Sequence, residues 1–78
     1  MTEKNLLKRI VINPEIMLGK PVIKGTRMTV ELIVEKVAYG SSYDTILEAY
    51  PFLKVQDIQA ALLYAAKTVS KEENILLE

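Results

Sequence analysis

Cysteine and histidine are both absent from this sequence of 78 residues. The chain therefore has no disulfide, no Cys/His zinc site and no cysteine nucleophile. It also lacks the imidazole base of a Ser-His-Asp triad. An enzyme built on this chain would work with carboxylates, Lys, Tyr, Ser or Thr alone, so we expect a non-catalytic protein without a cofactor.

Long apolar runs are missing as well. The longest covers residues 60–66 (AALLYAA), which is far short of the ~20 residues that span a bilayer. No apolar segment precedes the charges of the N-terminus, MTEKNLLKRI, so no signal peptide is visible. We therefore expect a single cytoplasmic domain that makes no membrane contact.

A net charge of zero conceals an asymmetry along the chain. Residues 1–30 carry six basic and two acidic side chains, whereas residues 31–78 carry four basic and eight acidic ones. A basic N-terminal part favours a phosphate-bearing partner, although solvated charges on two faces would give the same counts. A chain this short buries only about 60–65% of its unfolded surface, and Ile75, Leu76 and Leu77 add apolar side chains, so we expect a homodimer.

The first 28 residues favour a short β element. Residues 9–12 are rich in β-branched side chains, as is typical of a strand, and residues 13–19 indicate one helical turn. Residues 22–28 form two extended pieces on either side of Lys24-Gly25. That dipeptide is either the hairpin turn between two strands or part of a glycine turn that presents N–H groups and cations to an anion.

Three helices are predicted after this arm. Apolar residues at helical spacing follow Thr29, a candidate N-cap, as far as Gly40, a candidate stop. A short helix covers residues 43–50 and ends at Pro51, and a third carries an apolar stripe over residues 58–69. Three helices with a short second one are the pattern of a helix-turn-helix.

The expected architecture is therefore mainly α, with a short N-terminal β element in front of a three-helix, helix-turn-helix-like core. We divide this single domain into a β arm (residues 1–28), the helical core (residues 29–69) and an acidic-aliphatic tail (residues 70–78).

The third helix offers candidate base contacts. In a helix-turn-helix the last helix enters the major groove with its N-terminal side chains. Those positions are Lys54, Gln56, Asp57, Gln59 and Ala60, with Lys67 further along. Gln can pair with adenine and Lys with guanine or phosphate, while an ordinary solvated helix face is the alternative.

The same helix carries a second apolar row, formed by Ala60, Leu63 and Tyr64. Two apolar rows on one helix indicate either deep burial or a partner surface. Elsewhere, Arg27 can contact phosphate or pair with an acid such as Glu31.

The acidic pairs of the helical core leave another alternative open. Glu31/Glu35 and Asp44/Glu48 have the i, i+4 spacing that could hold a divalent cation with waters, although such pairs are usually solvated helix faces. These pairs leave open the alternative that the chain is an RNA- or metal-dependent enzyme.

Four segments carry a family resemblance: residues 12–16 (INPEI), 19–30 (GKPVIKGTRMTV), 40–42 (GSS) and 50–53 (YPFL). With their G-x-P-x-I-x-G-T-R core, they resemble the domain of unknown function 433 family. The resemblance implies a homeodomain-like or winged helix-turn-helix-like fold that is often dimeric. It also implies an antitoxin-like protein that binds operator DNA and a PIN-like ribonuclease toxin.

This resemblance suggests two surfaces on the chain. The candidate DNA face consists of Lys24, Arg27, Lys54, Gln56 and Gln59, and the candidate partner surface consists of Leu63, Tyr64, Ile75, Leu76 and Leu77. We expect an antitoxin-like regulator that neutralises a nuclease toxin. The alternative is a dimeric protein-interaction module that does not bind DNA.

Overall fold

The computed structural model describes residues 2–70, in which the chain folds around one central helix. The elements in chain order are α1 (Glu3–Leu7), β1 (Ile10–Val11), a 3₁₀ turn (Met17–Gly19), β2 (Val22–Ile23), α2 (Val30–Ala38), α3 (Tyr43–Ala49) and α4 (Val55–Ser70). Helix α4 contacts α1, α2, α3 and β1. The predicted fold class, mainly α with a short N-terminal β element, is confirmed.

The two middle helices begin at side-chain caps. The Thr29 hydroxyl accepts the backbone N–H of Leu32 at 3.1 Å and so begins α2 at the predicted residue. The Ser42 hydroxyl does the same for Thr45 at the start of α3, also at 3.1 Å. Each cap satisfies an N–H group that has no partner within its own helix. Gly40 follows α2 with a φ of +97°, the conformation that ends many helices.

The hydrophobic core lies where the helices meet the turn after β2. It contains the buried residues Ile23, Met28, Val30, Ile33, Ile46, Leu53, Ile58 and Ala61. Residues 50–54 connect α3 to α4. This connection is longer than the three or four residues usual in a helix-turn-helix.

The N-terminal arm differs from the prediction in two respects. It begins with α1, a five-residue helix capped by Thr2, which is too short to show helical periodicity. Strand β2 pairs antiparallel with β1, so the Lys24-Gly25 turn does not join the two strands. Residues 26–28 form no strand. The turn brings the chain back beside β2, where Val22 and Thr29 form a single β-bridge.

Helix α1 packs along one side of α4. Glu3 forms an ion pair with Lys67 near one end of α4, and Arg9 forms one with Asp57 near the other. The N-terminal segment therefore runs antiparallel along the side of α4 that includes the fully buried Ala60. The burial of Ala60 therefore needs no partner molecule, while Leu63 and Tyr64 of the same row are only half-buried.

Before β2 the backbone forms a left-handed turn. Met17 and Leu18 have φ values of +49° and +59°, and Gly19 follows at +84°. The Leu18 side chain is 94% exposed, so burial of this side chain does not compensate for its unfavourable conformation. A left-handed residue other than glycine costs about 1–2 kcal/mol.

This strain predicts an unusual order of stability at residue 18. Glycine adopts positive φ without a steric penalty, whereas alanine does not. We expect Leu18→Gly to be more stable than Leu18→Ala by about 0.5–1 kcal/mol, after allowing for the greater entropy of glycine in the unfolded chain. Urea denaturation of both variants measures this difference, and a more stable alanine variant would contradict the left-handed conformation.

Candidate nucleic-acid interface

The turn between β2 and α2 presents two basic side chains. The Ile23 carbonyl accepts the N–H of Thr26 at 3.0 Å and its hydroxyl at 2.8 Å. Gly25 is the third residue of this turn and has a φ of +80°, as a type II turn requires. Lys24 and Arg27 are exposed on either side of the glycine.

A chain of hydrogen bonds connects this turn to the start of α4. The N–H of Lys24 donates to the Arg9 carbonyl at 2.7 Å. Arg9 Nη1 then donates to Asp57 Oδ1 at 2.9 Å, and the N–H of Lys54 donates to Asp57 Oδ2 at 2.8 Å. This route brings Lys24 and Lys54 to the same side of the molecule.

Asp57 is central to this arrangement. It is buried, and its carboxylate lies in the first turn of α4, where it accepts the N–H of the residue before the helix. That contact resembles the acidic half of a capping box and places negative charge at the positive end of the helix dipole.

Removing Arg9 should therefore destabilise the fold. Arg9→Ala leaves the buried Asp57 carboxylate without its charged partner, and we expect a loss of about 1–3 kcal/mol of unfolding free energy. Lys20→Ala is the matched control because it breaks the exposed Lys20–Glu31 pair, at 3.0 Å. That change should cost less than about 1 kcal/mol. Equal losses in urea denaturation would contradict the role of the Arg9–Asp57 pair.

Arg27 borders a cleft of about 500 Å³ beside the connection between α3 and α4. Its other lining residues are Gly25, Thr26, Met28, Tyr50 and Phe52. On another side Arg27 shares a groove with Lys20 and Glu15. Glu31 pairs with Lys20, and Arg27 forms no ion pair within residues 2–70. Its guanidinium is therefore available to a ligand.

We define the basic face as Lys24, Arg27 and Lys54 together with Lys8 and Arg9, which line the same cleft as Lys24. Three of the predicted DNA contacts, Lys24, Arg27 and Lys54, belong to it. Of the other two, Gln59 is exposed on α4 and Gln56 is half-buried on the first turn of that helix.

Two further positions of the proposed reading helix are buried, and a third forms an exposed ion pair. Asp57 and Ala60 are buried, because Asp57 binds Arg9 and Ala60 packs on the side of α4 that faces α1. Lys67 forms its ion pair with Glu3. Base contacts from α4 are therefore limited to its N-terminal residues.

The predicted partner surface is only partly described. Leu63 and Tyr64 are half-buried, and Tyr64 packs against the hydrophobic core. Ile75, Leu76 and Leu77 lie outside the described residues, and so does most of the predicted tail. Exposed residues on the outer side of α4, among them Val55, Gln59, Ala66 and Ser70, are uncharged.

Within residues 2–70 no three acidic side chains are grouped so that they could hold a metal ion. The helices of this range are also all too short or too polar to cross a membrane.

Lys8 and Arg9 are the functional candidates that sequence reasoning missed. Both line the cleft that contains Lys24 and Asp57. Their place depends on a pairing between residues 48 positions apart, which leaves no local pattern. The excess of basic residues before residue 30 was the one available signal.

The chain is also similar in sequence to known proteins. Residues 10–65 match the family described as protein of unknown function (DUF433). The uncharacterized protein y4eO of Sinorhizobium fredii (strain NBRC 101917 / NGR234) is 39% identical over 56 residues, which are 72% of this chain and 25% of that protein. This chain thus spans about a quarter of the length of that relative.

A solved structure is similar over most of the fold. The crystal structure of a DUF433 member protein from Anabaena variabilis ATCC 29413 has a TM-score of 0.76 and 28% sequence identity. The similarity covers 87% of this chain and 67% of the other. The family match covers Lys24, Arg27 and Lys54 of the basic face, but neither Lys8 nor Arg9.

Proposed function

This chain belongs to the DUF433 family of proteins of unknown function, and from that premise we propose that it is a non-catalytic, antitoxin-like regulator that binds operator DNA. The observation that supports DNA binding is the basic face, in which the β2–α2 turn and the start of α4 lie on one side of the molecule. Phosphate contacts from such cations position a protein on DNA.

The basic face supplies phosphate contacts from two different elements. Lys24 and Arg27 belong to the turn, and Lys54 immediately precedes α4. Gln59 and Gln56 follow on the first two turns of the helix, where side chains can meet base edges. In this arrangement the β2–α2 turn binds the phosphate backbone of the DNA, while the start of α4 contacts the base edges.

DNA binding is tested by fluorescence anisotropy with duplex DNA from the promoter of the chain's own gene, across a salt series. Phosphate contacts release counterions, so affinity should fall steeply as salt rises. A duplex of shuffled sequence is the matched control. Equal, weak affinity for both duplexes at low salt would contradict the role of operator binding.

We also propose that the protein neutralises a PIN-like ribonuclease toxin and acts as a homodimer. The apolar residues Leu63, Tyr64, Ile75, Leu76 and Leu77 are the candidate contacts for such partners. Coexpression with a PIN-like nuclease encoded beside the gene should give a complex in which ribonuclease activity is inhibited. Full ribonuclease activity in the presence of excess protein would contradict neutralisation.

A second candidate function is a dimeric protein-interaction module without DNA binding. It is favoured by the uncharged outer side of α4, since a helix that lies along DNA usually presents cations there. The DNA titration separates the two functions, and sedimentation of the free protein tests the dimer that both require. A dimer with no affinity for DNA would favour the interaction module.

A further inference from the structure

A polar cleft of about 490 Å³ opens between the end of α1, the β2–α2 turn and the start of α4. It is lined by Asn5, Lys8, Arg9, Lys24 and Asp57. Its volume lies within the range of about 300–1,000 Å³ that is typical of small-ligand sites. The cleft is therefore large enough for a phosphate group together with the atoms to which it is esterified.

The charge of this cleft favours an anion. Asp57 is the acid among the lining residues, and each of its oxygens already accepts a hydrogen bond, one from Arg9 and one from the N–H of Lys54. Lys8 and Lys24 form no ion pair within residues 2–70. Two cations are thus left for a ligand after the Arg9–Asp57 pair is counted as neutral.

The donors of the cleft suit a phosphate in particular. A guanidinium has five N–H groups in a planar fork, and the described contacts of Arg9 use Nη1 for Asp57. Because Asp57 holds Arg9 in place, the remaining N–H groups are available with little loss of side-chain freedom. The Asn5 amide adds further donors, and Lys8 and Lys24 add ammonium groups.

We propose that this cleft binds one phosphate group of the nucleic-acid backbone. The identity of that ligand rests on the proposed DNA-binding function, whereas the phosphate chemistry rests on the cleft itself. Lys8 then extends the DNA contact onto the N-terminal segment, beyond the helix-turn-helix-like core. A free phosphate compound is the other source of the same chemistry.

The first arm of the test measures DNA affinity against salt for the wild type, Lys8→Gln and Lys4→Gln. Each phosphate contact contributes about 0.9 to the slope of log affinity against log salt. We expect Lys8→Gln to lower the slope by about 0.9. Lys4→Gln should leave the slope unchanged, because Lys4 is an exposed lysine of α1 that does not line the cleft.

The second arm titrates inorganic phosphate into the free protein and follows ¹H–¹⁵N NMR spectra, with chloride at matched ionic strength as the control. Saturable changes in the amide chemical shifts of Asn5, Arg9 and Lys24 that disappear in Lys8→Gln would support phosphate binding in the cleft. Thermal unfolding of both lysine variants establishes that the fold is intact.

The two arms separate the two proposals. Promoter-specific DNA binding with an unchanged salt slope in Lys8→Gln would overturn the proposed phosphate site and leave the proposed function standing. Equal losses of slope in Lys8→Gln and Lys4→Gln would lead to the same conclusion. Saturable phosphate shifts without DNA binding would overturn the regulator and assign the cleft to a free phosphate compound. Loss of slope in Lys8→Gln alone supports the cleft, whereas no response in either arm overturns both proposals.

Discussion

Reversal of both charges on the β2–α2 turn, in Lys24→Glu/Arg27→Glu, is expected to reduce DNA affinity about 100-fold at low salt. We assign each side chain one phosphate contact worth about 1.4 kcal/mol, or a factor of ten. The salt slope should also fall by about 1.8, since two counterion-releasing contacts are lost. Fluorescence anisotropy across a salt series measures both quantities.

The control for this variant reverses two lysines outside the basic face. Lys4 does not line the cleft of Lys8 and Lys24, and the pair between Lys67 and Glu3 is exposed, so its loss should cost less than about 1 kcal/mol. Lys4→Glu/Lys67→Glu changes the net charge equally, but Lys67 lies twelve residues beyond the start of α4, which corresponds to about 18 Å along a helix. We expect this control variant to keep most of its DNA affinity and the same dependence of that affinity on salt. If both variants lose affinity equally, general attraction between charges explains the binding and the basic face does not.

Truncation of Ile33 should produce the largest loss of stability. Ile33 lies on α2 with 0% of its surface exposed, within the hydrophobic core. Ile33→Ala should cost about 2–5 kcal/mol, because it removes apolar contacts and leaves a cavity. A domain of this size is stable by only about 4–12 kcal/mol, so the variant should unfold at a much lower temperature.

Val69→Ala is the matched control because Val69 is 65% exposed on α4. Its free energy of unfolding should change by less than about 0.5 kcal/mol. Urea denaturation gives both values. A loss below about 1 kcal/mol for Ile33→Ala would mean that α2 does not pack as described.

Local signals were sufficient to predict much of the helical fold. Thr29 and Gly40 delimit α2 because a cap and a left-handed stop depend on adjacent residues alone. Pro51 likewise follows α3, which ends at Ala49. Helix α1 was missed because its stability depends on packing against α4, including the pair between Glu3 and Lys67, and its own five residues give no such signal.

The candidate site was predictable only in part. Lys24 and Arg27 could be grouped from the glycine turn, and Lys54 from its place before a helix. Their common side of the molecule depends on Arg9 and Asp57, two residues far apart in sequence. The sequence placed Asp57 among the candidate base contacts, because its burial and its bond to Arg9 are tertiary effects that leave no local pattern.

The central claim is that the β2–α2 turn and the start of α4 form a single DNA-binding face. The most direct test is a ¹H–¹⁵N NMR titration with promoter duplex, in which every backbone amide reports its own perturbation. The account predicts that the largest shifts cluster at Lys24, Arg27, Lys54 and Gln59. Largest shifts at Leu63 and Ala66, with little change in the turn, would contradict it and place the contact on the uncharged side of α4.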